Sequence, residues 1–232
     1  MWERLRRWFF PVSCVGCDVP DVALCPACAP APAQRVTGDV ANVAVTAAGS
    51  YDGVLRRAIV AMKHGERAYL DPFAELIAGL IAPGVPLVPL PTSRRRRAAR
   101  GFDQAIELAR RAALRRQAPC CDILLKRGSA QRGLNRRARL AAGGRFHLKA
   151  GAVAPELAVV VDDVWTTGAT LADGIAALRA AGVAVVGAVV LARTAPGRNS
   201  RFERAVLSAD GVEATPGRRG DRRPCKPFGT DK

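Results

Sequence analysis

The sequence predicts an α/β protein, with a parallel sheet flanked by helices and a small N-terminal module that holds a metal. Three observations carry this expectation. Residues 158–161, AVVV, are apolar and mostly β-branched, the pattern of a strand buried on both faces of a parallel sheet. Residues 183–192 form a second run of this kind, and Leu171, Ile175 and Leu178 between the two recur at helical spacing. Near the N-terminus, Cys14, Cys17, Cys25 and Cys28 stand as C-x2-C-x7-C-x2-C. With 232 residues, 49% of them apolar, the chain can bury a full core in one domain plus a small appendage.

The stretch 158–171, AVVVDDVWTTGATL, organises the chain. Asp162 and Asp163 follow the apolar run, where the strand is expected to end. Thr166, Thr167, Gly168, Ala169 and Thr170 then lead into the helix. A helix start carries free backbone N–H groups and the positive end of the helix dipole, which together favour a phosphate. Gly168 lets the backbone come close, and the threonine hydroxyls add donors. The two carboxylates disfavour a phosphate but suit hydroxyl groups or a hydrated cation. A ligand with sugar hydroxyls at one end and a phosphate at the other fits both halves. The competing reading is a strand-to-helix turn with an Asp-rich cap. Neither G-x-x-x-x-G-K-[ST] nor a G-x-G-x-x-G after a strand is present.

Each C-x2-C pair suits one tight turn, and two such knuckles supply four thiolates to a closed tetrahedral zinc site. Gly16, Pro20 and Pro26 provide turn chemistry around them. Two disulfides or a redox pair are the alternatives, and an oxidising compartment has no other support in the sequence. Cys120, Cys121 and Cys225 read as ordinary thiols. Residues 29–35, APAPAQR, read as a linker, so residues 1–32 are expected to form the zinc module and residues 33–194 the main domain. The region 195–232 is rich in Arg, Gly and Pro and is expected to be a basic, partly disordered tail.

Within the main domain, residues 43–47 suggest a strand, and Asp52 an N-cap for a helix carrying Leu55, Ile59 and Met62. That helix should stop at Gly65, leaving Lys63 and His64 at its end, either solvated or in contact with an anion. Residues 71–81 predict a second helix, stopped by Pro83 and Gly84. Residues 87–90 read as a short strand whose Pro89 places it at an edge. Pro91, Thr92 and Ser93 form a turn, followed by Arg94, Arg95, Arg96, Arg97 and Arg100. Five guanidiniums this close repel one another unless solvent or an anion intervenes, and the run lies just after a strand, where α/β ligand sites form. Residues 102–113 are an amphipathic helix, residues 123–125 a strand, and a further short strand ends at Leu148. Between them Arg132, Arg136, Arg137 and Arg139 read as the solvated face of a basic loop and helix, and His147 as a surface strand residue.

Lys and Arg outnumber Asp and Glu by 36 to 20, an excess that points to anionic partners. The few aromatics, 5% of residues, weigh against a stand-alone single-strand binder that stacks bases. No apolar run reaches the length of a membrane span and no secretory signal is evident, so the expectation is a cytoplasmic protein without membrane insertion.

VVVDDVWTTGAT resembles the ribose-phosphate signature of type I phosphoribosyltransferases. Moreover, the four-cysteine module, YDGVLRRAIVAMKHG, VPLPTS with RGFDQA, QRGLNRRAR and VVVDDVWTTGATL occur in the order seen in ComF-family proteins. The resemblance covers residues 10–194. It implies a type I phosphoribosyltransferase-like sheet and a pocket for phosphoribosyl pyrophosphate (PRPP) with Mg²⁺, beside a structural Zn²⁺. By that resemblance Asp162 and Asp163 take the ribose hydroxyls or the hydrated Mg²⁺, with Asp163 alternatively a general base. The 166–170 loop holds the 5′-phosphate, and Thr92, Ser93, Arg94, Arg97 and Arg100 face the pyrophosphate. Two functions stay open. One is a pentosyl-transferring glycosyltransferase with an unidentified acceptor. The other is a non-catalytic DNA-uptake (competence) factor that meets single-stranded DNA or machinery partners, since ComF proteins are associated with DNA uptake in competent bacteria.

Overall fold

The computed structural model describes residues 12–126 and 144–195. The arginines 132, 136, 137 and 139, the residues before Val12, Cys225 and all of the tail after Ala195 lie outside the described residues. The elements described belong to one compact unit, Met1–Thr194.

Five strands make the central sheet, in the order β1 (Val36–Asp39), β2 (Ala44–Ser50), β7 (Ala184–Arg193), β6 (Leu157–Trp165) and β3 (Leu87–Pro89). β2, β7, β6 and β3 run parallel, and β1 pairs antiparallel with β2. A separate antiparallel pair joins β4 (Leu124–Lys126) to β5 (Phe146–Leu148). The helices are α1 (Gly53–Lys63), α2 (Leu70–Ala78), α3 (Arg94–Arg100), α4 (Gln104–Arg116) and α5 (Ala169–Ala180). The mostly parallel sheet flanked by helices is therefore present.

Neighbouring strand residues point to opposite faces, and each face has its own core. Val161, Val189 and Leu191 pack with Leu55, Ile59, Met62, Phe73, Ile77 and Leu108, so α1, α2 and α4 cover one face. Val160 and Val190 pack with Leu171, Ile175, Leu178 and Phe146, so α5 and the β4–β5 pair cover the other. Burial on both faces accounts for the apolar runs at 158–161 of β6 and 188–192 of β7, whereas Val186 in the first half of β7 is exposed.

Several elements differ from the sequence expectation. β6 does not end at Val161 but continues through both aspartates to Trp165, supported among the described strands by β7 alone. On its other side β3 pairs only as far as Pro89↔Val161, with one more bond from Leu90 N–H to the Val161 carbonyl at 2.9 Å. Pro89 and Pro91 lack the N–H groups a longer ladder needs. The edge of β6 beyond Val161 is thus left open on the β3 side. The arginine run is a helix, α3, and not a loop: Ser93 caps it by accepting from Arg96 N–H at 3.4 Å, and Gly101 (φ 76°) ends it. Asp52 sits at the α1 N-cap but makes no side-chain capping bond. The second helix ends at Ala78, before Pro83 and Gly84, and the amphipathic helix begins at Gln104, two residues after buried Phe102. The stretch 29–35 contains a 3-10 turn, Pro32–Gln34, and Arg35 donates to the Gly79 carbonyl at 3.0 Å, so it is tied to the domain. β1 had no signal in the sequence, being four residues long with three of them exposed.

Candidate functional site

The parallel strands β2, β3, β6 and β7 end around one cleft that is open to solvent. Ligand sites of open α/β sheets form outside these carboxyl ends. The cleft brings together residues that lie far apart in the chain. Asp162, Asp163, Thr166 and Thr170 come from β6 and the start of α5, and Thr92 from the turn after β3. Arg96 and Arg100 come from α3, Asp103 and Gln104 from the start of α4, Lys63 from the end of α1, and Lys126 from β4.

The acidic pair lies on the open edge of β6. Asp162 Oδ1 accepts from the Asp163 N–H at 2.9 Å, and Asp163 Oδ1 accepts from the Val164 N–H at 2.8 Å. The second Asp163 oxygen lies 2.9 Å from Lys63 Nζ. Burial, then the Asp163 charge, raises the Asp162 pKa well above the usual carboxylate range, against the pull of its backbone hydrogen bond and of Lys126. Lys126 stands 5.3 Å from the centre of the Phe146 ring, and burial lowers its pKa while the Asp162 charge opposes that.

The raised Asp162 pKa means that the folded protein holds this proton more tightly than the unfolded chain does. Stability of the metal-free protein then falls as pH rises above the unfolded carboxylate value of about 3.9, each unit of difference being worth about 1.4 kcal/mol. Asp162→Asn removes that loss. The variant is expected to be more stable than the parent at pH 7, with the difference vanishing below about pH 4. Urea unfolding across this range checks it, and a pH-independent difference would contradict it.

The loop after β6 enters α5 through Gly168, whose φ of 75° is left-handed. A Cβ there would meet Val40 at 3.0 Å and Trp165 Nε1 at 3.2 Å, so the glycine is required by backbone conformation and packing as well as by any ligand. Thr166 and Thr170 face the cleft, whereas Thr167 accepts from the Ala169 N–H at 3.4 Å. Thr170 Oγ1 also accepts from Arg145 at 3.3 Å, and Arg145 is fixed by Asp173 at 2.9 Å.

On the opposite wall, helix geometry selects among the arginines. Arg96 and Arg100, four apart, share the face that lines the cleft, and Arg94 and Arg97 do not line it. Arg100 donates to Gln104 Oε1, and Gln104 Nε2 donates to the Met62 carbonyl at 3.4 Å. Asp103 Oδ2 accepts from the Thr92 N–H at 2.8 Å, holding the turn after β3 in place, while its Oδ1 has no partner among the described residues. Burial raises the Asp103 pKa, opposed chiefly by the hydrogen bond from the Thr92 N–H. Lys126, Arg145, Asp103 and Gln104 carry no signal in the sequence, and Arg96 stands out there only as one of the five arginines of the run. The cap at Ser93 followed by Arg and Ala, all helix-compatible, was the one available signal for Arg96.

The four N-terminal cysteines are free and converge, their sulfurs all within 4.8 Å of one another. Zn–S bonds of about 2.3 Å place tetrahedral thiolates about 3.8 Å apart, close to the 3.6 Å between Cys17 and Cys25. Burial disfavours the Cys14 thiolate, but N–H groups of Cys25, Gly16 and Cys17 and the Cys25 thiol outweigh it and bring the pKa down to about 6. Burial raises the Cys28 pKa, as do its neighbouring cysteines. A Cβ on Gly16 would come within 2.6 Å of the Cys28 sulfur, so the first knuckle closes tightly over the second. The cluster could hold a zinc ion. Cys120 and Cys121 belong to no metal-type group among the described residues, and burial pushes the Cys120 thiol up to about 11.

Among the described residues no helix is long and apolar enough to cross a membrane. No protein-family model matches the chain, and no curated protein matches it.

Proposed function

We propose that the cleft binds a phosphoribosyl ligand, PRPP with Mg²⁺, and that the chain is a ComF-type protein with a type I phosphoribosyltransferase-like domain and a zinc-bearing N-terminal module. One observation carries the proposal: Asp162 and Asp163 lie in a single cleft between two anion-compatible walls. Thr166, Thr170 and the N-terminus of α5 form one wall, and Thr92, Arg96 and Arg100 form the other. A ligand with a diol between two phosphate groups matches that order. The four free cysteines suit a reducing compartment, so we place the protein in the cytoplasm.

In this reading the α5 N–H groups and Thr170 bind the 5′-phosphate, and Arg145 beside Thr170 adds positive charge. Asp162 and Asp163 accept from the ribose hydroxyls or from water on Mg²⁺, and Arg96 and Arg100 stabilise the pyrophosphate as it departs. Mg²⁺ supplies further charge neutralisation on the leaving group. The bond between the anomeric carbon and pyrophosphate breaks with oxocarbenium character, and an acceptor nucleophile takes the ribose-5-phosphate. The protein's part is chiefly orientation and charge placement.

Titration calorimetry with PRPP, with and without Mg²⁺, tests the proposal, and absence of binding in both would reject it. Arg96→Ala with Arg100→Ala is expected to weaken binding about 100-fold or more, at ~1.5–3 kcal/mol for each of two charge-assisted bonds. Arg94→Ala should change it less than about twofold, because that side chain does not line the cleft.

A second reading draws on the other faces of α3. Arg94, Arg95 and Arg97 are exposed and have no ion-pair partner among the described residues. They suit the phosphates of single-stranded DNA without regard to sequence, as a DNA-uptake factor needs. Fluorescence anisotropy of a labelled strand over a salt series tests this reading, and no binding at low salt would reject it.

A further inference from the structure

Lys63 closes α1, and Gly65 (φ 105°) turns the chain away directly after it. Its ammonium lies in the cleft, 2.9 Å from Asp163 Oδ2, with both side chains about a quarter exposed. The pair is not what anchors the helix. Leu55, Ala58, Ile59 and Met62 fix α1 to the core, so Lys63 can change partner without disturbing it. The cleft around it is cationic: Arg96 and Arg100 line the same cleft and neither has a carboxylate partner among the described residues. Asp163 is therefore claimed from inside by Lys63, and it is one of the two carboxylates available to an incoming divalent cation.

We infer that Lys63 is a further anion-binding residue of this cleft, kept on Asp163 until a divalent cation takes that carboxylate and frees the ammonium for the ligand's pyrophosphate. The inference rests on the phosphoribosyl reading above and adds a coupling to it. A cation that must displace Lys63 binds more weakly than the carboxylates alone would allow. An anion that needs Lys63 binds more weakly while Asp163 retains it. Each ligand thus assists the other, and by linkage the assistance is reciprocal.

The probes are MgCl₂ alone, inorganic pyrophosphate with and without Mg²⁺, and Mg²⁺–PRPP, followed by calorimetry on the full chain. Lys63→Gln is expected to tighten Mg²⁺ alone by about tenfold and to weaken pyrophosphate with Mg²⁺ by about tenfold, two effects of opposite sign. Asp163→Asn, which releases Lys63 directly, is expected to strengthen Mg²⁺-free pyrophosphate by about tenfold. A residue serving only as a structural ion pair would move both ligands the same way or neither, and that result in Lys63→Gln overturns the inference. If Lys63→Gln melts far below the parent, Asp163→Asn decides, and no gain in Mg²⁺-free pyrophosphate affinity overturns it. Parent protein that binds neither PRPP nor pyrophosphate would overturn the phosphoribosyl reading together with this one. Binding of Mg²⁺–PRPP without the opposed effects would overturn this one alone.

Discussion

Asp162→Asn combined with Asp163→Asn is expected to lower Mg²⁺–PRPP affinity by about 100-fold or more while leaving the domain folded. Two charge-assisted interactions are lost, each worth ~1.5–3 kcal/mol, and a neutral amide is a poor ligand for Mg²⁺. The fold should tolerate the change because the local bonds survive it. An asparagine oxygen can still accept from the Asp163 and Val164 N–H groups that the aspartates serve now. The Lys63–Asp163 pair is lost, which for a partly exposed pair costs up to ~1 kcal/mol. Relief of the desolvated Asp162 charge and of its repulsion by Asp163 acts in the other direction. Calorimetry for affinity and a thermal melt for folding separate the two outcomes, and unchanged affinity in a folded variant would remove the pair from the site. Gly168→Val is a poorer probe than the sequence suggested. Its added bulk would strike Val40 and Trp165 and would force a β-branched residue into left-handed backbone.

Cys14→Ser is the other large effect. It is expected to abolish stoichiometric zinc and to unfold the N-terminal module, with PRPP affinity retained. Cys14 is fully buried, its sulfur accepts from the N–H groups of Gly16 and Cys25, and its neighbours Ala23 and Leu24 are part of the core beneath α1. So small a module has little core of its own, so most of its folding energy must come from metal, at ~10–16 kcal/mol for such sites. None of its described residues lines the cleft, which is why ligand binding should persist. Elemental analysis of protein purified without added metal should find about one zinc per chain in the parent. Below about a tenth of an equivalent, with disulfides in the mass spectrum, the zinc assignment is wrong. Protease sensitivity confined to residues before 31 would locate the unfolding in the variant.

The outcome at residues 94–100 shows where reading from sequence stops. Charge repulsion and position after a strand identified the run as an anion candidate, but taken as a loop it offered no way to rank five similar guanidiniums. Once Ser93 caps a helix, spacing of four separates Arg96 and Arg100 from Arg94 and Arg97. Lys63 was ambiguous in sequence for a related reason: a lysine at a helix end is satisfied by solvent and the helix dipole alone. Lys126 and Arg145 carry no signal in the sequence: Lys126 reaches the cleft from β4, and Arg145, just before β5, reaches Thr170 at its rim, and the partners of both strands are set by a long-range antiparallel register.

Local patterns by themselves determined the buried parallel strands β6 and β7, the helix α5, the acidic pair, the threonine-rich loop at its start and the four-cysteine cluster. In each of these the chemistry is carried by residues close in sequence, so composition and spacing suffice. Only the tertiary structure decided that β6 runs on past β3, leaving Asp162 and Asp163 on an open edge, and that cations from α1, α3 and β4 gather beside them. The physical reason is that these cations are 36 to 99 residues from Asp162 in the chain, and strand order and helix packing, not local preference, bring them together.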